Sequence, residues 1–110
     1  MKEKNRVKKY REFKEILDLR NFKRNDIFIV NFRKNEFGYA RVGILVTKKN
    51  GNAVTRVKIK RQVRSIIDEC LDYNNTSLDL IVYISKSYDT NAFRENRTKL
   101  IDLIQKVSSN

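Results

Sequence analysis

The chain contains no histidine, and no other feature of its composition excludes as much. Without imidazole it lacks the commonest general base and the commonest metal ligand. No Ser/His/Asp or Cys/His arrangement, no HExxH motif and none of the usual zinc sites can be drawn. The single cysteine, Cys70, rules out an intrachain disulfide, and its register with Ile59, Val63, Ile66 and Ile67 points to a buried apolar thiol. Neither a P-loop nor a GxGxxG sequence is present. The protein alone is therefore not expected to perform chemistry. No apolar run approaches the length of a spanning helix, and there is no signal-peptide core or lipidation motif, so the expectation is a soluble, cytoplasmic protein with no membrane partner. Proline, internal repeats and a low-complexity tail are also absent. At 110 residues, a single domain spanning 1–110 is expected, with about the first eight residues flexible until something binds them.

Acidic residues are scarce: 13 Asp and Glu face 25 Lys and Arg, a formal charge of +12. Such an excess makes nucleic acid the leading partner class. It is also unevenly placed, since Thr47 to Arg64, TKKNGNAVTRVKIKRQVR, holds seven cations and no acid. This stretch reads as a turn entering an amphipathic helix. Cations in the first turns of a helix oppose its macrodipole, each at a cost of roughly 0.3–1 kcal/mol. A polyanionic partner explains them better than helix stability does. Asp68, Glu69 and Asp72, toward the other end, also sit on the unfavourable side of the dipole; they read as solvated charges, or as a patch that repels RNA and fixes its orientation.

Hydrophobic periodicity supplies the rest of the framework. Tyr10, Phe13, Ile16 and Leu17 recur at helical spacing, and the helix is followed by a polar connection around Arg20 to Asn25. DIFIVNFR and YARVGILVT read as two strands joined by a turn at Lys34 to Gly38, paired as an antiparallel hairpin. Their alternation places Phe28, Val30, Phe32, Val42, Ile44 and Val46 on a uniformly apolar face. Ile29, Asn31, Gly43, Leu45 and Thr47 fall on a second, interrupted face, where Phe13 and Leu17 could wall a partly open cleft. The second helix begins between Asn52 and Thr55 and ends near Tyr73, burying Ile59, Val63, Ile66, Ile67 and Cys70. DLIVYIS, Asp79 to Ser85, reads as a central strand. A last helix runs from about Asn91 to Val107, with Phe93, Leu100, Ile101, Ile104 and Val107 inward. The predicted element order is α-β-β-α-β-α, an α+β fold class.

With the basic segment in place, the chain resembles the bacterial ribonuclease P protein subunit, the small basic partner of a catalytic RNA. That family carries a motif of the form KKxGNAVxRNRxKRxxRE, matched here by Lys48, Lys49, Gly51, Asn52, Ala53, Val54, Arg56, Lys60, Arg61 and Arg64. Arg41 to Gly43, Asn5 to Lys9 and Phe13 also look like the family, so the likeness spans essentially the whole chain. Val57 stands where the family usually has Asn and cannot supply an amide's donors and acceptor. Lys58 replaces an Arg, keeping charge but losing the bidentate fork. Leu17 and Asn31 occupy places where the family often shows aromatic residues, which weakens stacking on nucleotides there.

The resemblance implies an α/β sandwich around a central mixed sheet with a left-handed β-α-β crossover, although parallel crossovers are right-handed in nearly all other cases. It further implies that Lys48, Lys49, Asn52, Arg56, Lys58, Lys60, Arg61 and Arg64 contact RNA. Phe13, Leu17, Ile29, Asn31, Leu45 and Thr47 would form the cleft for the 5′ leader of precursor tRNA. The implied partners are ribonuclease P RNA and precursor tRNA, with no obligate protein partner. Mg2+ would be held mainly by the RNA subunit, with no protein-bound cofactor. Two other classes share the basic helix: a ribosomal-protein-like RNA-binding module without a role in processing, and a DNA-binding helix, which the phosphate-weighted motif disfavours.

Overall fold

The protein is described from a computed structural model covering residues 1–109. Its elements, in chain order, are α1 (Tyr10–Asp18), β1 (Phe22–Arg24), β2 (Phe28–Lys34), β3 (Arg41–Leu45), α2 (Ala53–Cys70), β4 (Leu78–Ile84) and α3 (Phe93–Ser108). The four strands form one mixed sheet in the order β1-β2-β4-β3. β2 runs antiparallel to β4, from Phe28↔Ile84 to Lys34↔Leu78, and β3 runs parallel to β4, from Arg41↔Asp79 to Leu45↔Tyr83.

The expected hairpin does not form, because β4 lies between β2 and β3. In β4 every residue but Tyr83 is buried, and a strand apolar on both faces gains most from a central place. Strand order leaves the period-2 alternation unchanged, so the two faces come out as the pattern predicts even though the pairing does not. An extra strand, β1, falls in the supposed polar connection and pairs Phe22↔Asn31, Lys23↔Val30 and Arg24↔Ile29. The element order is thus α-β-β-β-α-β-α.

One sheet face packs against α2 and α3. Phe28, Val30, Val42, Leu80, Val82 and Ile84 meet Ile59, Val63, Ile66 and Ile67 of α2 and Leu100, Leu103, Ile104 and Val107 of α3. α1 covers the other face through Ile16, which joins Val7 and Ile81, with Phe13, Leu17 and Leu45 half-buried around them. Phe93, expected inward, is the first residue of α3 and stays exposed; Asn96 is buried in that first turn and donates to the Asp89 carbonyl at 2.8 Å.

In the N-terminal segment, expected to be flexible until something binds it, Asn5 and Val7 are buried while Lys2, Glu3, Lys4 and Lys8 are exposed. The Met1 ammonium meets Asp68 at 3.0 Å, buried Asn5 donates to the Ala40 carbonyl at 2.8 Å, and the Val7 amide donates to the Val42 carbonyl at 3.0 Å. Arg6 bridges Val42 in parallel, so this segment follows the free edge of β3. The acids at the end of α2 are also tied down, in contrast to their reading as solvated charges. Asp68 accepts from the Tyr73 hydroxyl at 2.7 Å, and Glu69 forms a two-point pair with Arg97 of α3. Asp72 lies beyond the helix and accepts from Asn75 at 2.8 Å. Tertiary partners offset the unfavourable dipole at this end.

Candidate nucleic-acid interface

The turn before α2 is built by side chains that satisfy its own backbone. The Thr47 hydroxyl accepts from the Lys49 amide at 3.3 Å, Asn50 Oδ1 accepts from the Thr47 amide at 3.1 Å, and Asn50 Nδ2 donates to the Ser85 carbonyl at 2.8 Å. Gly51 follows at φ 114°, a conformation that strains any L side chain. Asn52 then caps α2, its Oδ1 accepting from the Thr55 amide at 2.9 Å. Lys48 and Lys49 are thereby held exposed on a rigid turn directly before the helix.

Along α2, Arg56, Lys60 and Arg64 repeat every fourth residue and so form one row. Arg61 and Lys58 lie farther round the helix, exposed, with Val57 between them and the row, 57 % exposed. Elsewhere Arg33, Arg41, Arg97, Lys99 and Lys106 each have an acidic partner. Among the described residues, none of the seven cations from Lys48 to Arg64 has one. Arg56 and Arg64 also have buried Nε atoms that find no acceptor among the described residues, as does Arg6, which lines one cavity with Arg64. A buried donor without a partner costs about 1–3 kcal/mol, and an anion at this surface would relieve it.

Beside the row lies a cleft between α1 and the sheet. Its middle holds about 460 Å³ and is lined by Lys8, Tyr10, Phe13, Lys14, Leu17, Leu45 and Lys60. Toward the N-terminal segment it continues past Gly43 to Arg6 and Arg64. In the other direction it opens into about 470 Å³ lined by Leu17, Arg20, Phe22, Arg24, Ile29, Asn31, Leu45 and Tyr83. Lys60 lines the middle of the cleft and, with Arg56, a shallow concavity on the helix, so the basic row and the cleft share a wall. Gly43 sets the depth. A Cβ there would stand 2.5 Å from Phe13 Cζ and 2.9 Å from Ile81 Cδ1, so only glycine lets the ring rest on the sheet.

α1 is fastened over this face by buried charge. Asp79, fully buried, accepts from Arg41 Nε at 2.9 Å and Nη2 at 2.8 Å, from Arg33 Nε at 2.9 Å and from Asn35 Nδ2 at 2.9 Å. Arg41 also reaches Glu12 of α1 at 2.8 Å. Burial alone would raise the Asp79 carboxyl, but the hydrogen bonds from Arg41, Asn35 and Arg33 outweigh it and hold the group below the ordinary value. The same hydrogen bond to Asp79 raises the Arg41 guanidinium, which stays charged. Phe13, one residue from Glu12, is positioned by this anchor.

Of the cleft residues expected from sequence, Phe13, Leu17, Ile29, Asn31 and Leu45 come together. Thr47 does not line the cleft; its hydroxyl is engaged in the turn. Sequence reasoning missed Tyr10 as an exposed wall residue, Arg20, Phe22 and Arg24 because β1 was not recognised, and Tyr83 because its strand read as wholly core. Parity with Ile81 carried the signal for Tyr83, since alternate residues share a face. Cys70 is half-buried, and burial pushes its thiol up, as an inert cysteine requires. Among the described residues no three His, Cys, Asp or Glu side chains cluster as a metal site, and no helix is long and apolar enough to cross a membrane.

A family model described as Ribonuclease P matches residues 1–108. A ribonuclease P protein component of Mesoplasma florum is 42 % identical over 105 residues, covering 94 % of the chain and 96 % of the relative. One from Streptococcus pneumoniae is 34 % identical, covering 96 % and 85 %. Among solved structures, the ribonuclease P protein of Staphylococcus aureus superposes with a TM-score of 0.77 at 30 % identity over 94 % of each chain. That of Thermotoga maritima gives 0.76 at 31 % identity, over 92 % of this chain and 96 % of the other.

Proposed function

The chain belongs to the ribonuclease P protein family, and from that premise we propose that it binds a catalytic RNA and the 5′ leader of precursor tRNA, promoting removal of that leader. One observation carries this reading: seven cations on one turn and helix have no acidic partner among the described residues and share a wall, Lys60, with a partly apolar cleft. A solvated basic face would need no such cleft, and a hydrophobic cleft would need no such field.

In this reading the turn and helix cations, Lys48, Lys49, Arg56, Lys58, Lys60, Arg61 and Arg64, neutralise RNA phosphates. Asn52 presents its backbone and cap beside them. The cleft accepts a single strand, with phosphates near Lys8, Lys14 and Lys60 and bases against Phe13, Leu17 and Leu45. A leader in the cleft adds affinity that mature tRNA cannot collect, so substrate is preferred over product. Mg2+ would supply the Lewis acid and activated water of the hydrolysis. We assign its binding to RNA phosphates, because the carboxylates packed beneath the cleft, Asp79 and Glu12, are already occupied by guanidinium groups. The protein's own part is to hold substrate and to screen charge.

The test is precursor tRNA cleavage at low Mg2+ with a bacterial ribonuclease P RNA, with and without this protein, beside a protein-only control. Correct 5′ cleavage requiring both components is expected. No stimulation at any concentration would leave only a basic RNA-binding module.

A further inference from the structure

The far half of the cleft has a composition that core packing does not explain. Phe22, on edge strand β1, faces Asn31 across the β1/β2 register and is 46 % exposed. Two residues to either side, Arg20 and Arg24 line the same cavity, and neither has an acidic partner among the described residues. Arg20 carries a second, independent signal. It ends α1 at φ 55°, the left-handed conformation that helix termini normally give to glycine, and it is the one non-glycine at positive φ among the described residues. Backbone strain of this kind persists where the side chain is needed at that place.

We propose that β1 extends the leader cleft into a further nucleotide subsite, in which Phe22 stacks on a base and Arg20 and Arg24 hold the phosphates on either side of it. This rests on the leader reading of the cleft. Phe22 and Arg24 lie on one side of β1, and Arg20, in the turn before the strand, lines the same cavity, so the ring stands between two cations along the groove wall. That order suits one nucleotide of a single strand: the ring offers a π-face that any base can use, and each guanidinium offers a planar fork to phosphate. Tyr83 and Ile29 form the floor beneath. Asn31 is buried and small, which leaves the space in front of Phe22 open. The occupant is single-stranded RNA, since an acidic peptide would satisfy the arginines but would leave the ring without a planar partner.

The holoenzyme is reconstituted with a bacterial ribonuclease P RNA, and dissociation constants are measured for precursor tRNAs with leaders of increasing length. With the unaltered protein, affinity should rise with leader length and then level off. Phe22→Ala should level off at a shorter leader, losing the last increment of about tenfold, while affinity for the shortest leaders is unchanged. Phe22→Tyr, which keeps the ring, should follow the unaltered curve. Arg20→Gly separates function from folding: it relieves the strained φ, so the melting temperature should hold or rise while long-leader affinity falls. If Phe22→Ala and Arg20→Gly both follow the unaltered curve, the subsite is overturned while the leader cleft stands. If the unaltered protein shows no dependence on leader length, the cleft reading fails and the subsite fails with it.

Discussion

Replacing Gly43 by alanine tests the link between backbone, packing and substrate binding in a single methyl group. The added Cβ would stand 2.5 and 2.7 Å from two ring atoms of Phe13 and 2.9 Å from Ile81 Cδ1. Ordinary carbon contact needs about 3.5–4.0 Å, so the ring must withdraw by roughly 1 Å or more. The Ile81 side chain is fully buried in the sheet centre and has little freedom to yield. Phe13 is half-buried and borders open space, so the ring moves and swings into the cleft. Overpacking of this size costs about 1–3 kcal/mol. Alanine recovers about 0.5–1 kcal/mol of backbone entropy that glycine loses in a strand. The net expectation is a loss of about 1 kcal/mol, or a melting temperature lower by about 4–8 °C. The functional effect should be larger than the stability effect, since the displaced ring occupies space assigned to the leader. Affinity for precursor tRNA should fall about tenfold, affinity for leaderless tRNA should hold, and assembly with the RNA subunit should be unaffected. Thermal melting and binding titrations with the two tRNAs measure all three. A variant with unaltered melting and unaltered leader affinity would refute the packing of Phe13 on Gly43 as the feature that shapes the cleft.

Other expectations follow from the same contacts. Arg61→Ala and Arg64→Ala should each lower the slope of log affinity against log salt for the catalytic RNA by about one, with stability nearly unchanged at exposed Arg61; slopes equal to that of the unaltered protein would remove them from the phosphate contacts. Asp79→Asn leaves Arg33 and Arg41 facing a neutral amide in a buried site and should cost about 3–5 kcal/mol in urea unfolding, whereas a cost under about 1 kcal/mol would mean the cluster is not structural. Because the folded Asp79 carboxyl lies below its ordinary value of 3.8, its contribution is present above that pH and is lost as pH falls through the lower folded value. Acid unfolding should therefore steepen below about pH 4, and the Asn variant should lack that part of the curve. Asn52→Ala removes the cap of α2 and should destabilise by about 1 kcal/mol, checked by the same urea titration.

Much of the site was legible because it is local in sequence. The glycine at 51 and the cation spacing through Arg64 are consequences of neighbouring residues, and of the two residues between which the helix start lay, Asn52 and Thr55, the structure makes Asn52 the cap. The two sheet faces were legible for a related reason, since alternation fixes which side a residue faces whatever its strand pairs with. Phe13 and Leu17 could be set against Leu45 on that basis alone. Thr47 failed because its hydroxyl had a nearer use in capping the turn, a competition that residue type does not resolve. Phe22 and Arg24 failed because a three-residue strand among polar neighbours carries no period long enough to detect.

The sequence by itself determined the charge excess and its placement, the basic helix to within a few residues of its start, the faces of the strands and the lack of histidine, because charge, caps and periodicity act over a few residues. Only the tertiary structure decided that β4 separates β2 from β3, that the N-terminal segment borders β3, and that Asp68, Glu69 and Asp79 are held by distant cations. Those outcomes depend on contacts between residues tens of positions apart. Such contacts are chosen by the burial and desolvation of the whole chain at once, which no local pattern records.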